Sequence, residues 1–428
     1  MKKIVVFGPG PGFKGGIANF SISLAKAFAG IEDTETHMVS WTHQYPFFIP
    51  RDFIDDKSQT ELLEKSGVTV QYTMNYNNFF TWQKTYQAIV DIDPDFVVIQ
   101  WSSTIQAFPI AYLIRELKSN TQIRIIADLH FGNHKEYTKM VKRLATYAIK
   151  YADAYVVHSY KTAFEVKELF PDITFDLIEG LDDRPENKGK PILKLYHPIY
   201  DMFTPDPTFD VEAQKKQLHL RKYVFLFFGF IIKYKGLHNA ILAFAELART
   251  RDDVSLLIVG ESSWQAQKQK KKKRLRRFFS RHLRALFVSK REDETNYQPL
   301  DMIDQLGIRD CVTVVNEFIP NEEVYKYYQV SDAIALFYET ATSSGVESIA
   351  YNFKLPIVAT RVGHFPETVK EGVTGYLADP GDISSMTEAM QNIIDQPIPP
   401  ENFDKVAKDM SWASYARSIK SMAESIKN

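Results

Sequence analysis

The chain has 428 residues, 45% of them hydrophobic and 25% charged, with 52 Lys and Arg against 53 Asp and Glu. This is the balance of an ordinary folded protein of more than one domain, and it excludes global disorder, collagen-like repeats and small secreted scaffolds. Cys311 is the only cysteine, which excludes an internal disulfide and any multi-cysteine zinc or iron–sulfur site.

The opening MKKIVVFGPG holds a short apolar run ending in a glycine turn, which reads as a first buried strand and not a secretory leader. Short apolar runs then alternate with helix-period segments, the pattern of α/β with parallel sheets. In the first half, strands are expected at Ile4–Phe7, His37–Trp41, Val68–Tyr72, Phe96–Gln100, Ile123–Ala127 and Ala154–His158. Helices are expected at Ile17–Phe28 and Lys139–Tyr151. The Pro- and Gly-bearing stretch Asp182–Ile192 reads as the region of a domain boundary. A second series follows, with strands at Val224–Phe228, Ser255–Val259, Val312–Val315, Ala333–Phe337 and Pro356–Ala359, and a helix at Leu237–Arg249. The expected architecture is two doubly wound domains joined near 190–205 and facing a cleft, where strand carboxyl ends and helix amino ends converge on ligands. The longest apolar stretch, Val224–Ile232, is far too short to span a bilayer. A cytosolic protein, or one on the cytosolic face of a membrane, is expected.

Five segments are candidates for chemistry. GPGPGFKGGIANF (8–20) puts Gly15 and Gly16 at a helix start, where backbone N–H groups attract anions, but it is neither GxGxxG nor a P-loop. A tight strand–helix turn without a ligand explains it equally well. Gly229 to Gly236 (GFIIKYKG) follows the apolar strand YVFLFF, so Lys233 and Lys235 stand where two cations would hold a diphosphate, or as solvated loop lysines. YETATSSGVES (338–348) offers hydroxyls and backbone donors from Thr342, Ser343 and Ser344, with Gly345 and Val346 opening a helix. Glu339 is a candidate to support an acceptor sugar and Glu347 to accept from ribose hydroxyls, while a Ser/Thr/Glu cluster is also an ordinary helix cap. ADLHFGNHK (127–135) places His130 or His134 at the cleft edge. DID at 91–93 reads as a turn, and no metal is expected.

The fifth segment carries the charge asymmetry. Residues 268–291 hold 12 of the 52 Lys and Arg and no acid, on an otherwise acidic chain. Leu275, Phe278, Phe279, Leu283, Leu286 and Phe287 recur at helical spacing, giving a candidate membrane-facing stripe beside arginines. A solvated or core-packed basic helix, or an acidic partner, remains open; nucleic acid is not favoured.

In order, these segments resemble the retaining glycosyltransferases of family 4, which have the two-domain GT-B fold. FFGFIIKYKGLHNAILAF resembles the family's strand–glycine–basic-loop–helix segment, and LLIVGE, VTVVNEFIPNEEVYKYYQVSDAIALFY and LPIVATRVGHFPETVKEGVTGYLADPGD follow in its donor-domain order. GGIANFSISLAKAF resembles the acceptor-side glycine loop. The resemblance implies a Rossmann-like acceptor-side domain at 1–195, a nucleotide-sugar-binding domain at 196–400 with an insert at 265–297, and a helix at 401–428 returning to the first domain. It implies His130, Lys235 and Glu339 in catalysis, and Gly229, Lys233, Lys235 and Thr342–Glu347 around the donor. No cofactor is implied. Two departures stand out: Phe230 stands where many members have arginine, and Ile232 where a neighbouring arginine is common in one subgroup. Anchored on Leu355-Pro356, moreover, Ala341 and Ile349 take the two glutamate positions and TSSGV the phosphate loop. The activity implied is sugar transfer from a nucleotide diphosphate to a saccharide or lipid-linked saccharide, with bacterial surface polysaccharide synthesis as the setting. A scaffold that binds without transferring, and a nicotinamide-dependent oxidoreductase, are the alternatives.

Overall fold

The computed structural model describes residues 1–45, 54, 63, 65–130, 139–181, 183, 188–262 and 297–426. The chain divides into two compact units, Met1–Pro198 with Met410–Asn428, and Ile199–Asp409.

In the first unit, β1 (Lys2–Phe7), β2 (Thr34–His43), β3 (Thr69–Asn75), β4 (Phe96–Trp101), β5 (Arg124–Leu129), β6 (Ala154–Val157), β7 (Phe175–Glu179) and β8 (Lys190–Lys194) make one sheet. Its order is β3-β2-β1-β4-β5-β6-β8-β7, and every pair is parallel. Runs such as FVVIQW are buried end to end because helices cover both faces of a parallel sheet. Those helices are α1 (Gly16–Ala29), α2 (Phe79–Ile92), α3 (Ala107–Asn120), α4 (Lys139–Ile149) and α5 (Tyr160–Leu169). The order reverses between β1 and β4, the topological switch point at whose carboxyl ends doubly wound sheets bind ligands.

β7 and β8 were not among the expected strands. β8 lies inside the sheet, between β6 and β7, and the first unit runs on to Pro198, so its boundary does not fall at 182–192. The misreading has a physical cause: Gly189 and Pro191 look like breakers, and Ile192 and Leu193 alone, flanked by lysines, make no apolar run.

In the second unit, β9 (Tyr223–Phe228), β10 (Val254–Val259), β11 (Val312–Val315), β12 (Ala333–Leu336), β13 (Ile357–Thr360) and β14 (Gly375–Ala378) form a parallel sheet. Its order is β11-β10-β9-β12-β13-β14, with the reversal between β9 and β12. The helices described are α6 (Val211–Gln217), α7 (Leu237–Thr250), α8 (Asp301–Gln305), α9 (Val324–Gln329), α10 (Gly345–Asn352), α11 (Phe365–Thr368), α12 (Ile383–Asp395) and α13 (Asn402–Asp409). Helix α14 (Trp412–Ser425), capped by Ser411, belongs to the first unit and packs beside α1. Residues 402–409, expected to travel with that tail, form α13 in the second unit instead, where Phe403 is buried beside Tyr351. The insert 268–291, with Leu275, Phe278, Phe279, Leu283, Leu286 and Phe287, lies outside the described residues, as does His134. Among the described residues no helix is long and apolar enough to cross a membrane.

At the second reversal the chain needs glycine. Gly236 has φ 64, and a Cβ there would sit 1.8 Å from the carbonyl oxygen of Phe337 just beyond β12. Because that neighbour is backbone, no side-chain movement relieves the contact. Gly236→Ala is expected to destabilise the second unit by on the order of 2–4 kcal/mol, measured by urea unfolding.

Candidate functional site

In the second unit, the loop after β9 and the start of α10 meet. A Cβ on Gly229 would lie 2.8 Å from Lys235 Nζ and 3.6 Å from Val346 Cγ2, so the ammonium, the glycine and the first turn of α10 adjoin. Lys233–Lys235 form a single 3-10 turn closed by Gly236, which is why Lys235 is half-buried over Gly229 while Lys233 is exposed. Ser344 caps α10, its Oγ accepting from the Glu347 N–H at 3.4 Å. The amino end of α10 and the Lys235 ammonium thus both lie beside Gly229, an arrangement suited to an anion. Tyr200, fully buried, packs its ring against Gly345, where a Cβ would come within 2.9 Å of it. Thr342, Ser343 and Val346 are half-buried in the same loop, and Ile232 is buried.

The two glutamates separate. Glu339 stands at the loop start, its N–H donating to Tyr234 O at 2.8 Å and its carboxylate 3.4 Å from His238 Nε2. His238 Nδ1 in turn meets the Tyr297 hydroxyl at 3.0 Å. Burial holds the His238 imidazole below its ordinary pKa, with Glu339 opposing. Glu347, expected to reach ribose, is 1% exposed. Its Oε2 pairs with His364 Nε2, and its Oε1 accepts from Thr368 Oγ1. Its carboxylate is thus engaged inside the protein and not presented to a ligand. Position three of α10 faces inward, onto the segment that carries α11. Ala341 and Ile349 are both buried apolar residues.

In the first unit, Gly15 (φ 103) starts α1, its carbonyl accepting from Ala18 and Asn19, and no atom lies within 4 Å of where its Cβ would be. Gly16 is the first helical residue. His130 follows β5 and is one of a buried group. Asp128 is fully buried, with His158 Nε2 at 3.1 Å and His130 Nε2 at 3.8 Å from its Oδ1. The Tyr415 hydroxyl, from α14, donates to Asp128 Oδ2 at 3.1 Å, and Gln100 Nε2 approaches the same oxygen at 3.4 Å. Since the Gln100 amide nitrogen faces the carboxylate, its Oε1 faces His130 Nε2 at 2.6 Å and must accept from it. That contact puts the His130 proton on Nε2. Phe20 closes the group, edge-on to His130 and His158 at ring separations of 4.5 and 5.6 Å.

Burial pushes His130 from the ordinary 6.5 down to about 3, against the pull of Asp128 and with His158 adding to the shift. Burial pushes Asp128 upward, but His130, His158 and Tyr415 outweigh it and hold the carboxyl below its usual value. Asp128, His130 and His158 offer donor atoms within 4.8 Å of one another, the composition of a metal-ligand trio. With its Nε2 proton given to Gln100, His130 takes part in a hydrogen-bond network and keeps its lone pair on Nδ1.

Residues 209–410 match the family model of glycosyl transferases group 1. The second unit carries a glycosyl transferases group 1 domain. A D-inositol 3-phosphate glycosyltransferase of Corynebacterium kroppenstedtii is 31% identical over 130 residues, 29% of this chain and 28% of that protein. A GDP-mannose-dependent alpha-(1-6)-phosphatidylinositol monomannoside mannosyltransferase of Mycolicibacterium smegmatis is 24% identical over 204 residues, 46% of this chain and 45% of that protein. The chain thus spans less than half the length of either relative. The crystal structure of HepE from Anabaena, in complex with UDP and glucose, superposes with a TM-score of 0.68 at 16% identity over 99% of both chains. The fold is that of the GT-B glycosyltransferases: two parallel-sheet α/β domains.

Within the glycosyl transferases group 1 domain, His364 and Thr368 went unnoticed in the sequence, as did Asp128, Gln100, His158 and Tyr415 in the first unit. One signal was present: Asp128 and His130 are two apart at a strand end and so share a face. The pairing of Asp128 with Val156 then brings His158 level with His130, which only the sheet register reveals. Because His130 stays neutral when folded but takes up a proton near pH 6.5 when unfolded, stability is expected to fall as pH drops from 6.5 toward 3. Asp128, with its lowered pKa, adds to the loss below about pH 4. His130→Gln should flatten the slope of unfolding free energy between about pH 6 and 4.5, while an unchanged slope would place the proton uptake elsewhere.

Proposed function

We propose that the protein is a retaining glycosyltransferase that moves a sugar from a nucleotide diphosphate to a saccharide or lipid-linked saccharide in bacterial surface polysaccharide synthesis. The observation that carries this reading is the placement of Lys235 beside Gly229 and the first turn of α10, at the strand reversal of the second unit. Transfer needs the negative charge developing on the departing diphosphate to be stabilised where it forms. A fixed ammonium and a helix amino end do this without reorganisation. Lys235 is assigned to the diphosphate, with Lys233 as a second, exposed cation from the same turn. Thr342, Ser343, Gly345 and Val346 line the phosphate and sugar, Ser344 fixes the turn as its cap, and Glu339 sits at the sugar end with His238. His130, held neutral, is assigned a hydrogen-bonding role toward the transferred sugar, and Gly15 and Gly16 an acceptor-side role.

The scheme routes no step through a carboxylate nucleophile, so the two-carboxylate glycosidase mechanism is not invoked. Since the cations belong to the protein, turnover is expected to persist in EDTA. The basic segment 268–291 is assigned to an anionic membrane on the cytoplasmic side, which suits a lipid-linked acceptor. The mannosyltransferase relative takes GDP-mannose and the HepE structure holds UDP, so both bases belong in the test.

Thermal unfolding is measured with UDP, GDP, ADP and dTDP, with and without magnesium. One base is expected to raise the midpoint without magnesium, and Lys235→Ala should abolish most of that rise while leaving the unliganded midpoint nearly unchanged. No rise with any of them, also with acceptor lipid present, would point to a scaffold that has lost donor binding.

A further inference from the structure

Twelve large hydrophobic side chains are exposed among the described residues, and only Tyr234 and Val373 belong to the second unit. Half of the first unit's ten fall on three neighbouring helices. Phe79, Phe80, Phe108, Tyr147 and Tyr151, between 44% and 79% exposed, all lie on α2, α3 and α4 or directly after α4. These helices pack side by side, α2 on α3 and α3 on α4. Rings pair across both helix seams: Phe79 meets Tyr112 of α3 at 5.1 Å, and Phe108 of α3 meets Tyr147 of α4 at 6.2 Å. Arg115 stacks its guanidinium 3.6 Å from the Tyr147 ring and 5.1 Å from that of Tyr151. On α3, Phe108, Tyr112 and Arg115 are spaced i, i+4, i+7 and form one outward stripe, while Ile110, Leu113, Ile114 and Leu117 are buried.

The charge on these helices is one-sided. Among the residues whose side chains are described, they carry Lys84, Arg115, Lys118, Lys142 and Arg143 against Asp91 and Glu116, and Lys118 is paired with Asp153. Cations and rings alternate: Lys84 is one turn beyond Phe80 and Arg143 one turn before Tyr147. An extended set of exposed rings is not a by-product of folding, because scattered single side chains suffice to account for ordinary apolar surface. Rings that are apolar in body and interleaved with cations of one sign fit the headgroup layer of an anionic bilayer, where the rings insert and the cations meet lipid phosphates. We propose that the outer face of α2, α3 and α4 is a docking surface for anionic lipid headgroups, distinct from the basic segment 268–291 and independent of the donor-site reading.

The chain's chemistry makes a position-specific test available. Cys311 is the only cysteine and is 4% exposed, so a cysteine introduced at the surface is labelled selectively. Phe80→Cys, Phe108→Cys and, as a control on the second unit, Val373→Cys are each labelled with an environment-sensitive fluorophore in the full chain. They are then mixed with vesicles of phosphatidylcholine, with or without phosphatidylglycerol. Expected is a blue shift at 80 and 108 with the anionic vesicles alone, reversed by salt, and no shift at 373. Lys84→Gln combined with Arg143→Gln should weaken vesicle partitioning roughly thirtyfold while leaving the thermal midpoint in place. Co-sedimentation with vesicles but no shift at 80 and 108 would assign membrane binding to another segment and overturn the proposal. So would failure to sediment. A shift that grows with protein concentration in the absence of vesicles would make the face a protein interface and overturn the lipid assignment.

Discussion

The second unit rests on a backbone contact that tolerates no side chain. Gly236 lies against the carbonyl of Phe337 at the point where the order of the sheet reverses. Closing the loop after β9 on the chain beyond β12 turns a flexible Lys-Tyr-Lys segment into one helical turn. That turn is what lays Lys235 over Gly229 and beside α10. A lysine on a free loop would spread its charge over a wide volume of solvent and do little for a developing phosphate charge. Held by this turn, it keeps one direction, as the stabilisation proposed for Lys235 requires.

The first unit has a comparable hub of opposite chemistry. Asp128 is a fully buried carboxylate surrounded by residues from four places in the sequence: Gln100 on β4, His130 after β5, His158 after β6 and Tyr415 on α14. Burying a carboxylate is costly unless hydrogen bonds and opposed charge compensate. The C-terminal helix therefore does more than cover apolar surface; its Tyr415 hydroxyl contributes to that compensation. The same network sets the tautomer and the neutral state of His130, so the chemistry of the histidine depends on a carboxylate two residues before it and a tyrosine at the far end of the chain.

Glu347 shows how a motif can mislead when read by spacing. Glu339 and Glu347 stand at the separation expected of a glutamate pair in the resembled family, but the second is swallowed by His364 and Thr368. The anchoring on Leu355-Pro356 already moved both glutamates out of register, and the burial of Ala341 and Ile349 at the substitute positions leaves the loop backbone and Lys235 as the groups that face a ligand. The donor site proposed for this chain thus draws on backbone N–H groups and an ammonium at the phosphate end, without the Glu347 carboxylate.

Much of the fold was legible beforehand. Strand runs such as YVFLFF and FVVIQW, helix α7, and the glycine–lysine loop between them follow from local period and residue type, which a parallel sheet covered on both faces imposes on its own segment of chain. β8 was not legible, because Lys190, Pro191 and Lys194 hide a strand whose burial comes from its neighbours in the sheet. By itself the sequence determined two doubly wound α/β units, the cationic loop after β9 and the positions of its glycines. Only the tertiary structure decided which histidine is neutral, which glutamate is unavailable and which aromatic rings remain outside. Those properties belong to a residue's surroundings, and the surroundings are assembled from separate segments, from 17 residues apart at Glu347 and His364 to 287 at Asp128 and Tyr415.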